Sequence, residues 1–271
     1  LNIVSENAKR IATTSKKLGQ NFILDMNITH KIASYAHIDQ NDVVIEIGPG
    51  PGGLTLAILE RKPQQLILIE KDHRCLPGLE ILAAQHHGNC GVKILNKDAL
   101  MVVSEELVKV PLTIIIANLP YNIASPLLIQ FVHQYRHIKE MVLMFQKEVA
   151  QRIVAEPNTK HYGRLSIITQ AFFKPTIVYN LPPSVFTPPP KVDSAVVRFL
   201  PRVKSGTLST QNLEHVTQIF FSSRRKTVGH ILKKNFKNNP EILEILHPYA
   251  HLRPENLSVD LYIQVASTVK N

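Results

Sequence analysis

Apolar residues come in short, dense runs through the first two thirds of this chain and at helical spacing through its last quarter. The runs Val43–Ile47 (VVIEI), Gln65–Ile69 (QLILI), Val92–Leu95, Leu112–Ala117 (LTIIIA) and Met141–Phe145 are apolar almost throughout rather than alternating, which predicts strands buried on both faces, as in a parallel sheet. Helical spacing between them predicts crossover helices at Leu54–Leu59, His73–Gln85 and Lys147–Ala155, and Ser125 with Pro126 has the form of a helix cap followed by the first helical residue. A further apolar segment covers Leu165–Phe173. The stretch Leu181–Ser194 holds too much proline for a helix and is expected to be an extended, stiff loop, with Ala195–Phe199 closing the sheet. Beyond Pro201–Ser209, a linker by composition, the pattern is helical at Gln211–Phe221, Thr227–Asn235, Pro240–Leu246 and Ser258–Val269. The expected organisation is α/β over residues 1–204, with 1–15 as a polar, mobile arm, and a small all-α domain over 205–271.

The first strand runs directly into Gly48-Pro49-Gly50-Pro51-Gly52-Gly53, after which a helix begins. Such a bare loop lets a ligand approach the backbone at the carboxyl end of a parallel strand, although many strand-to-helix turns use glycine for its dihedral freedom alone. Two acidic residues sharpen the reading. Glu46 sits just before the glycines, and Glu70 ends the second strand, about 20 residues past them, where a ribose diol is bonded in dinucleotide-type sites. No Gly-Lys-Ser/Thr follows, which argues against an ATP or GTP phosphate cradle. A nicotinamide cofactor and S-adenosylmethionine both remain open on the loop alone. Asp98, at the end of the third strand, is placed to accept from an adenine amino group, with a turn aspartate as the equal alternative. Gln20 and Asn21, in Leu18-Gly19-Gln20-Asn21-Phe22-Ile23, have side chains suited to a zwitterionic ligand above the glycine loop.

The chain has 271 residues, 44% of them hydrophobic, enough for a full core. No apolar run reaches the roughly 18 residues a membrane span needs, so no membrane association is expected. It opens on Leu1 with neither an initiator methionine nor a signal-peptide pattern, so preceding residues and a cytoplasmic location are expected. Cys75 and Cys90 have no metal-ligand spacing and read as isolated structural thiols, and no metal is expected. The net charge of +10 favours polyanionic partners. Lys16-Lys17, Arg224-Arg225-Lys226 and Lys233-Lys234 with Lys237 flank the central motifs instead of forming one tail, which points to a nucleic-acid substrate.

Asn118-Leu119-Pro120-Tyr121 ends the fourth strand with an amide, a rigid carbonyl-bearing turn and an aromatic ring. Methylating an exocyclic amine needs that set. The amine's lone pair is delocalised into the base, so acceptors such as the Asn118 side-chain oxygen and the Leu119 carbonyl must draw the nitrogen toward a tetrahedral geometry, while Tyr121 stacks on the base. The alternative is a strand-to-helix turn with a core tyrosine.

Six motifs in order resemble the ribosomal RNA adenine N6,N6-dimethyltransferase family: Leu18–Ile23, Glu46–Gly52, Asn118–Tyr121, Phe145–Ala150 (FQKEVA), Pro183–Ser194 (PSVFTPPPKVDS) and Arg224–Lys226. The resemblance covers about residues 16–271. It implies a Rossmann-like, seven-stranded class I S-adenosylmethionine methyltransferase domain with a small all-α C-terminal domain. It also implies a monomer that dimethylates two adjacent adenosines in a hairpin loop near the 3′ end of 16S rRNA, within the small ribosomal subunit or its precursor. On that resemblance Asn21 and Ile23 close over the methionine, Gly48 and Gly50 mark the glycine loop, Glu70 takes the ribose hydroxyls and Asp98 the cofactor adenine. Lys71 and Ala99, neighbours of those carboxylates, belong to the same cofactor set, and Asn118 sits between cofactor and target. Phe186 is expected to stack on the base face opposite Tyr121, and Arg224, Arg225, Lys226, Lys233 and Lys234 to bind RNA. The tract PPPKVDS and Leu252–Ser258 look like the small-subunit branch, whereas Ile23 stands where that branch more often has leucine.

Overall fold

The computed structural model describes residues 2–12, 21–86, 88, 90–110, 112–202 and 208–269. The chain divides into two compact units, one of Leu1–Ala150 with Thr176–Pro201 and one of Gln151–Pro175 with Arg202–Asn271. The second therefore recruits a stretch that the sequence had assigned to the first. The expected boundary at 204/205 lies outside the described residues.

The apolar runs become the strands expected of them. In chain order the first unit contains α1 (Asn2–Ala12), β1 (Phe22–Ile23), α2 (Met26–Ser34), β2 (Val43–Ile47), α3 (Gly53–Leu59), β3 (Gln65–Ile69), α4 (Leu76–Gln85), β4 (Gly91–Leu95), α5 (Ala99–Lys109), β5 (Thr113–Asn118), α6 (Tyr121–His133) and β6 (Ile138–Gln146). The chain continues through α7 (Lys147–Val154), α8 (Arg164–Phe172), β7 (Phe173–Leu181), β8 (Phe186–Thr187) and β9 (Ser194–Pro201). Seven strands form one sheet in the order β4-β3-β2-β5-β6-β9-β7. β2 is parallel to both β3 and β5, whereas β9 is antiparallel to β6. The chain thus leaves β2 toward one edge and later returns to its other side. That reversal opens a crevice at the carboxyl ends of β2 and β5, where open α/β sheets place their ligands.

Four expectations are corrected. The polar arm is the helix α1, whose Val4, Ala8 and Ile11 repeat at helical spacing and are buried, so an amphipathic face docks it. α6 begins at Tyr121 rather than at Pro126, which lies inside it. A proline at the sixth helical position costs one early hydrogen bond, and Pro120, not Ser125, is the cap. β9 lies within the sheet and the unanticipated β7 forms its edge. The proline-rich tract contains the strand β8, which pairs antiparallel with β1 in the register Phe22↔Thr187 and Ile23↔Phe186.

The second unit carries α9 (Thr210–Ser222), α10 (Val228–Asn235), α11 (Pro240–Leu246) and α12 (Val259–Thr268). Each starts at a side-chain cap, Ser209, Thr227, Asn239 and Ser258 respectively, which satisfies a free helix N–H. Phe220 stacks on Phe236 at 5.8 Å and meets Tyr262 edge-on at 5.6 Å. The buried Tyr162 and Tyr262 hydroxyls donate to the Leu257 and Pro254 carbonyls at 2.9 and 2.8 Å, so neither phenol is buried without a partner.

Candidate active site

The carboxyl ends of β2, β3 and β5 open into a cleft whose wall includes Asn21, Phe22, Gly48, Glu70, Lys71, Asp98, Ala99 and the continuous stretch Asn118–Ile123. Gly48 has φ +67° and Gly50 φ +55°, both left-handed. A Cβ on Gly50 would also come within 2.8 Å of the Phe22 ring, so this position is glycine both for its dihedral and because an aromatic side chain lies on it.

Glu70 is 2% exposed and organises the loop. Its carboxylate accepts from the Gly50 N–H at 3.0 Å and the Asp72 N–H at 2.7 Å. Burial raises its pKa above the ordinary carboxylate value, opposed by those backbone donors. Asp98 caps α5, accepting from the Leu100 N–H at 3.0 Å, and pairs with Lys71 Nζ at 2.8 Å. The ammonium holds Asp98 below its ordinary range, so its carboxylate is charged at the rim of the cleft. Glu46 lies under the loop, 1% exposed, and accepts from the Thr55 hydroxyl at 2.7 Å. Desolvation pushes its carboxyl up from 4.5 to about 8.

At the end of β5 the Asn118 side-chain amide donates to the Asn21 carbonyl at 2.9 Å. That bond fixes which end of the amide is which: Nδ2 is engaged, and Oδ1 is the acceptor left for a ligand. Tyr121 heads α6, and its hydroxyl lies 2.6 Å from Ser194 Oγ. Burial raises the tyrosine pKa, which keeps the hydroxyl neutral.

The cleft gathers Asn21, Gly48, Glu70, Lys71, Asp98, Ala99, Asn118, Leu119, Pro120 and Tyr121 from the expected set. It does not gather the rest. Gly50 acts through Glu70. Ile23 lies beneath, beside Glu46 and Thr29. Gln20, with Lys16 and Lys17, lies outside the described residues. Phe186, expected to stack on the target base, is 3% exposed in this structure and packs with Phe22, Ile23 and Ile32, on β8 where it pairs with β1. Arg224, Arg225 and Lys226 are exposed in the turn between α9 and α10 rather than at the opening of a helix, and Lys233 and Lys234 are exposed at the end of α10. Phe22, Lys97 and Asn122 line the cleft without having been singled out. Phe22 sits inside the motif Leu18–Ile23, and Asn122 directly follows Asn118–Tyr121.

A parallel sheet with a glycine loop after β2, a buried acid after β3, a second acid after β4 and Asn-Leu-Pro-Tyr after β5 defines a class I methyltransferase. The buried Glu70 and rim Asp98 carboxylates, with the unobstructed backbone of Gly48, fit a cofactor that carries a ribose diol and an adenine amine. The model of the ribosomal RNA adenine dimethylase family matches residues 11–266, and the chain belongs to that family. A ribosomal RNA small subunit methyltransferase A from Ehrlichia ruminantium (strain Gardel) is 40% identical over 256 residues, which cover 94% of this chain and 96% of that protein. The crystal structure of a dimethyladenosine transferase from Plasmodium falciparum superposes with a TM-score of 0.79 at 29% identity, covering 90% of this chain and 95% of that one. That of the 23S rRNA methyltransferase ErmE gives 0.68 at 21% identity, covering 92% and 99%, a likeness of fold. The chain is an rRNA adenine dimethyltransferase, and S-adenosylmethionine is its methyl donor.

Proposed function

We propose that this enzyme transfers two methyl groups to the N6 amine of each of two adjacent adenosines in a hairpin loop near the 3′ end of 16S rRNA. Its substrate on this reading is the small ribosomal subunit or its precursor, and it acts as a cytoplasmic monomer. No helix among the described residues is long and apolar enough to cross a membrane.

The observation that carries the chemistry is the amide of Asn118, held by Asn21 with its oxygen free for an amine N–H. Leu119 lines the cleft beside it, and on this reading its backbone carbonyl is the second acceptor for the same exocyclic nitrogen. Accepting both N–H bonds localises the nitrogen lone pair and aims it, a positioning effect rather than proton abstraction. The donor's sulfonium supplies an already activated methyl group, so the chain needs no nucleophile of its own. Asn21, Ile23, Gly48 and Gly50 hold the methionine end on this reading, Glu70 the ribose, and Asp98 with Lys71 and Ala99 the adenine. Tyr121 stacks on the target base. Arg224, Arg225, Lys226, Lys233 and Lys234, all exposed, neutralise RNA phosphates.

Support for the small-subunit target comes from the name of the Ehrlichia relative and from the PPPKVDS and LRPENLS stretches. The test is incubation with labelled S-adenosylmethionine and small-subunit particles lacking the modification, alongside large-subunit particles, with mapping of dimethyladenosine. Label at two adjacent adenosines of the small-subunit hairpin is expected. Label confined to large-subunit RNA would overturn the target.

A further inference from the structure

We propose that Ser194 is a positioning residue for methyl transfer, acting by holding the ring of Tyr121 at a fixed attitude in the cleft. The inference rests on the reading of Tyr121 as the aromatic platform for the target base and adds the residue that sets its orientation.

Tyr121 is the first residue of α6, half-buried, with its ring in the wall of the cleft. A side chain there has few neighbours from its own helix to fix its rotamer, so the ring attitude must be set from outside. The contact that does so is the 2.6 Å hydrogen bond between its hydroxyl and Ser194 Oγ. Ser194 is fully buried and is the first residue of β9, in register with Gln146 of β6. Its neighbour Asp193 is tied to the start of α7 twice: the Lys147 N–H donates to the Asp193 carbonyl at 2.9 Å, and Lys147 Nζ lies 3.3 Å from its carboxylate. The serine hydroxyl is thus a point on the sheet, and the tyrosine hydroxyl is moored to it. The same serine ends the proline-rich tract, so this bond ties the tract's junction with the sheet to the Asn-Leu-Pro-Tyr turn. A stacking platform works only if its plane matches that of the base while Asn118 and Leu119 hold N6. A ring free to rotate about its side-chain torsions satisfies both demands for a smaller share of the time.

The test is a double-mutant cycle of Ser194→Ala and Tyr121→Phe on the small-subunit particle. Each single variant should lower kcat by roughly five- to tenfold, the weight of one neutral hydrogen bond, with cofactor affinity and KM for the particle unchanged. The double variant should be no slower than the slower single one, because both changes remove the same bond. Effects that multiply, or losses in KM instead of kcat, would overturn the proposal. If Ser194→Ala fails to fold, Tyr121→Phe decides alone, since it deletes only the hydroxyl, and parental kcat in that variant would sink the inference. Tyr121→Ala separates the two readings. A severe loss there with parental Tyr121→Phe removes Ser194 but keeps the stacking platform, whereas parental turnover in Tyr121→Ala removes the platform itself.

Discussion

The side-chain amide of Asn118 donates to the backbone carbonyl of Asn21 across 2.9 Å, joining two segments 97 residues apart in sequence. One is the end of β5, and the other is Asn21, the residue before β1, which lines the cleft together with Gly48. The bond settles the orientation of the amide, which composition alone leaves open, and makes Oδ1 an acceptor. Asn118→Ala should therefore lower kcat by on the order of a hundredfold, as expected when a reacting group loses its alignment, and weaken cofactor binding only a few-fold. Stopped-turnover assays with calorimetry of S-adenosylmethionine binding give both numbers. Near-parental turnover would rule out amine orientation by Asn118.

Glu70 is tied to the loop by the Gly50 N–H and to its own turn by the Asp72 N–H, so it shapes the glycine loop and also lines the cleft. Glu70→Ala should cost roughly 10- to 100-fold in S-adenosylmethionine affinity, the range for hydrogen bonds to a charged acceptor. Far-UV circular dichroism should be unchanged. An affinity within twofold of the parent would exclude Glu70 from the cofactor site.

Much of this was legible in sequence, and the exceptions share a cause. β2, β3 and β5 are buried on both faces and therefore spell themselves out as continuous aliphatic runs. β7 is an edge strand with Lys174, Thr176 and Asn180 exposed and Pro175 tolerated, so its composition resembles a loop. Among the described side chains of α1, Val4, Ala8 and Ile11 are the buried apolar positions, a short signal in a mostly polar stretch. Glu70 and Asn118 could be picked out because each stands at the carboxyl end of a parallel strand, where open α/β sheets place their chemistry. The burial of Phe186 could not, since it follows from pairing between β1 and β8, which are 163 residues apart at Ile23 and Phe186 and only two residues long. Ser194 closes the motif Pro183–Ser194, but its partner Tyr121 is 73 residues away and meets it only in the fold.

Glu46 provides a pH signature. Its carboxyl is raised from 4.5 to about 8 by burial, so the folded chain holds a proton there that the unfolded chain releases above about pH 4.5. The resulting stability is fully present below 4.5 and is lost as pH rises through 8, by at most about 5 kcal/mol. Glu46→Gln keeps the neutral shape and should flatten this dependence. Urea denaturation at pH 5, 7 and 9 would show the parent losing stability across the series more steeply than the variant. Parallel curves would mean that Glu46 does not titrate there.

Beside its apolar contacts, α1 packs Asn7 closely against α4. A Cβ on Gly78 would lie 1.8 Å from Asn7 Nδ2, and Asn7 also donates to the Pro51 carbonyl at 3.4 Å. Gly78→Ala should strengthen α4 by up to about 1 kcal/mol in propensity while displacing Asn7. Hydrogen exchange at residues 4–11 should then speed up, with the sheet unaffected. Unchanged protection would mean that Val4 and Ile11 dock the helix without Asn7.

The basic turn of the helical unit gives the last prediction. Arg224, Arg225 and Lys226 are exposed, and Arg224 Nε donates to Glu255 at 2.7 Å. An exposed ion pair of this kind is worth about 0–1 kcal/mol, so Arg224 can exchange its carboxylate for a phosphate at little cost. If all three residues contact phosphates, each adds roughly 0.7–0.9 to the slope of log affinity against log salt. Replacing the three by Ala should flatten that slope by about 2–3 in filter binding to small-subunit RNA. Glu255→Gln should act in the opposite direction, freeing Arg224 and tightening RNA binding at low salt. S-adenosylmethionine affinity should stay parental in both variants, because the glycine loop, Glu70 and Asp98 belong to the other unit. Methylation by the triple variant should recover at low salt or saturating particle concentration, since the lost interaction is a counterion-dependent one. A parental salt slope in the triple variant would show that the phosphates are held elsewhere on the chain.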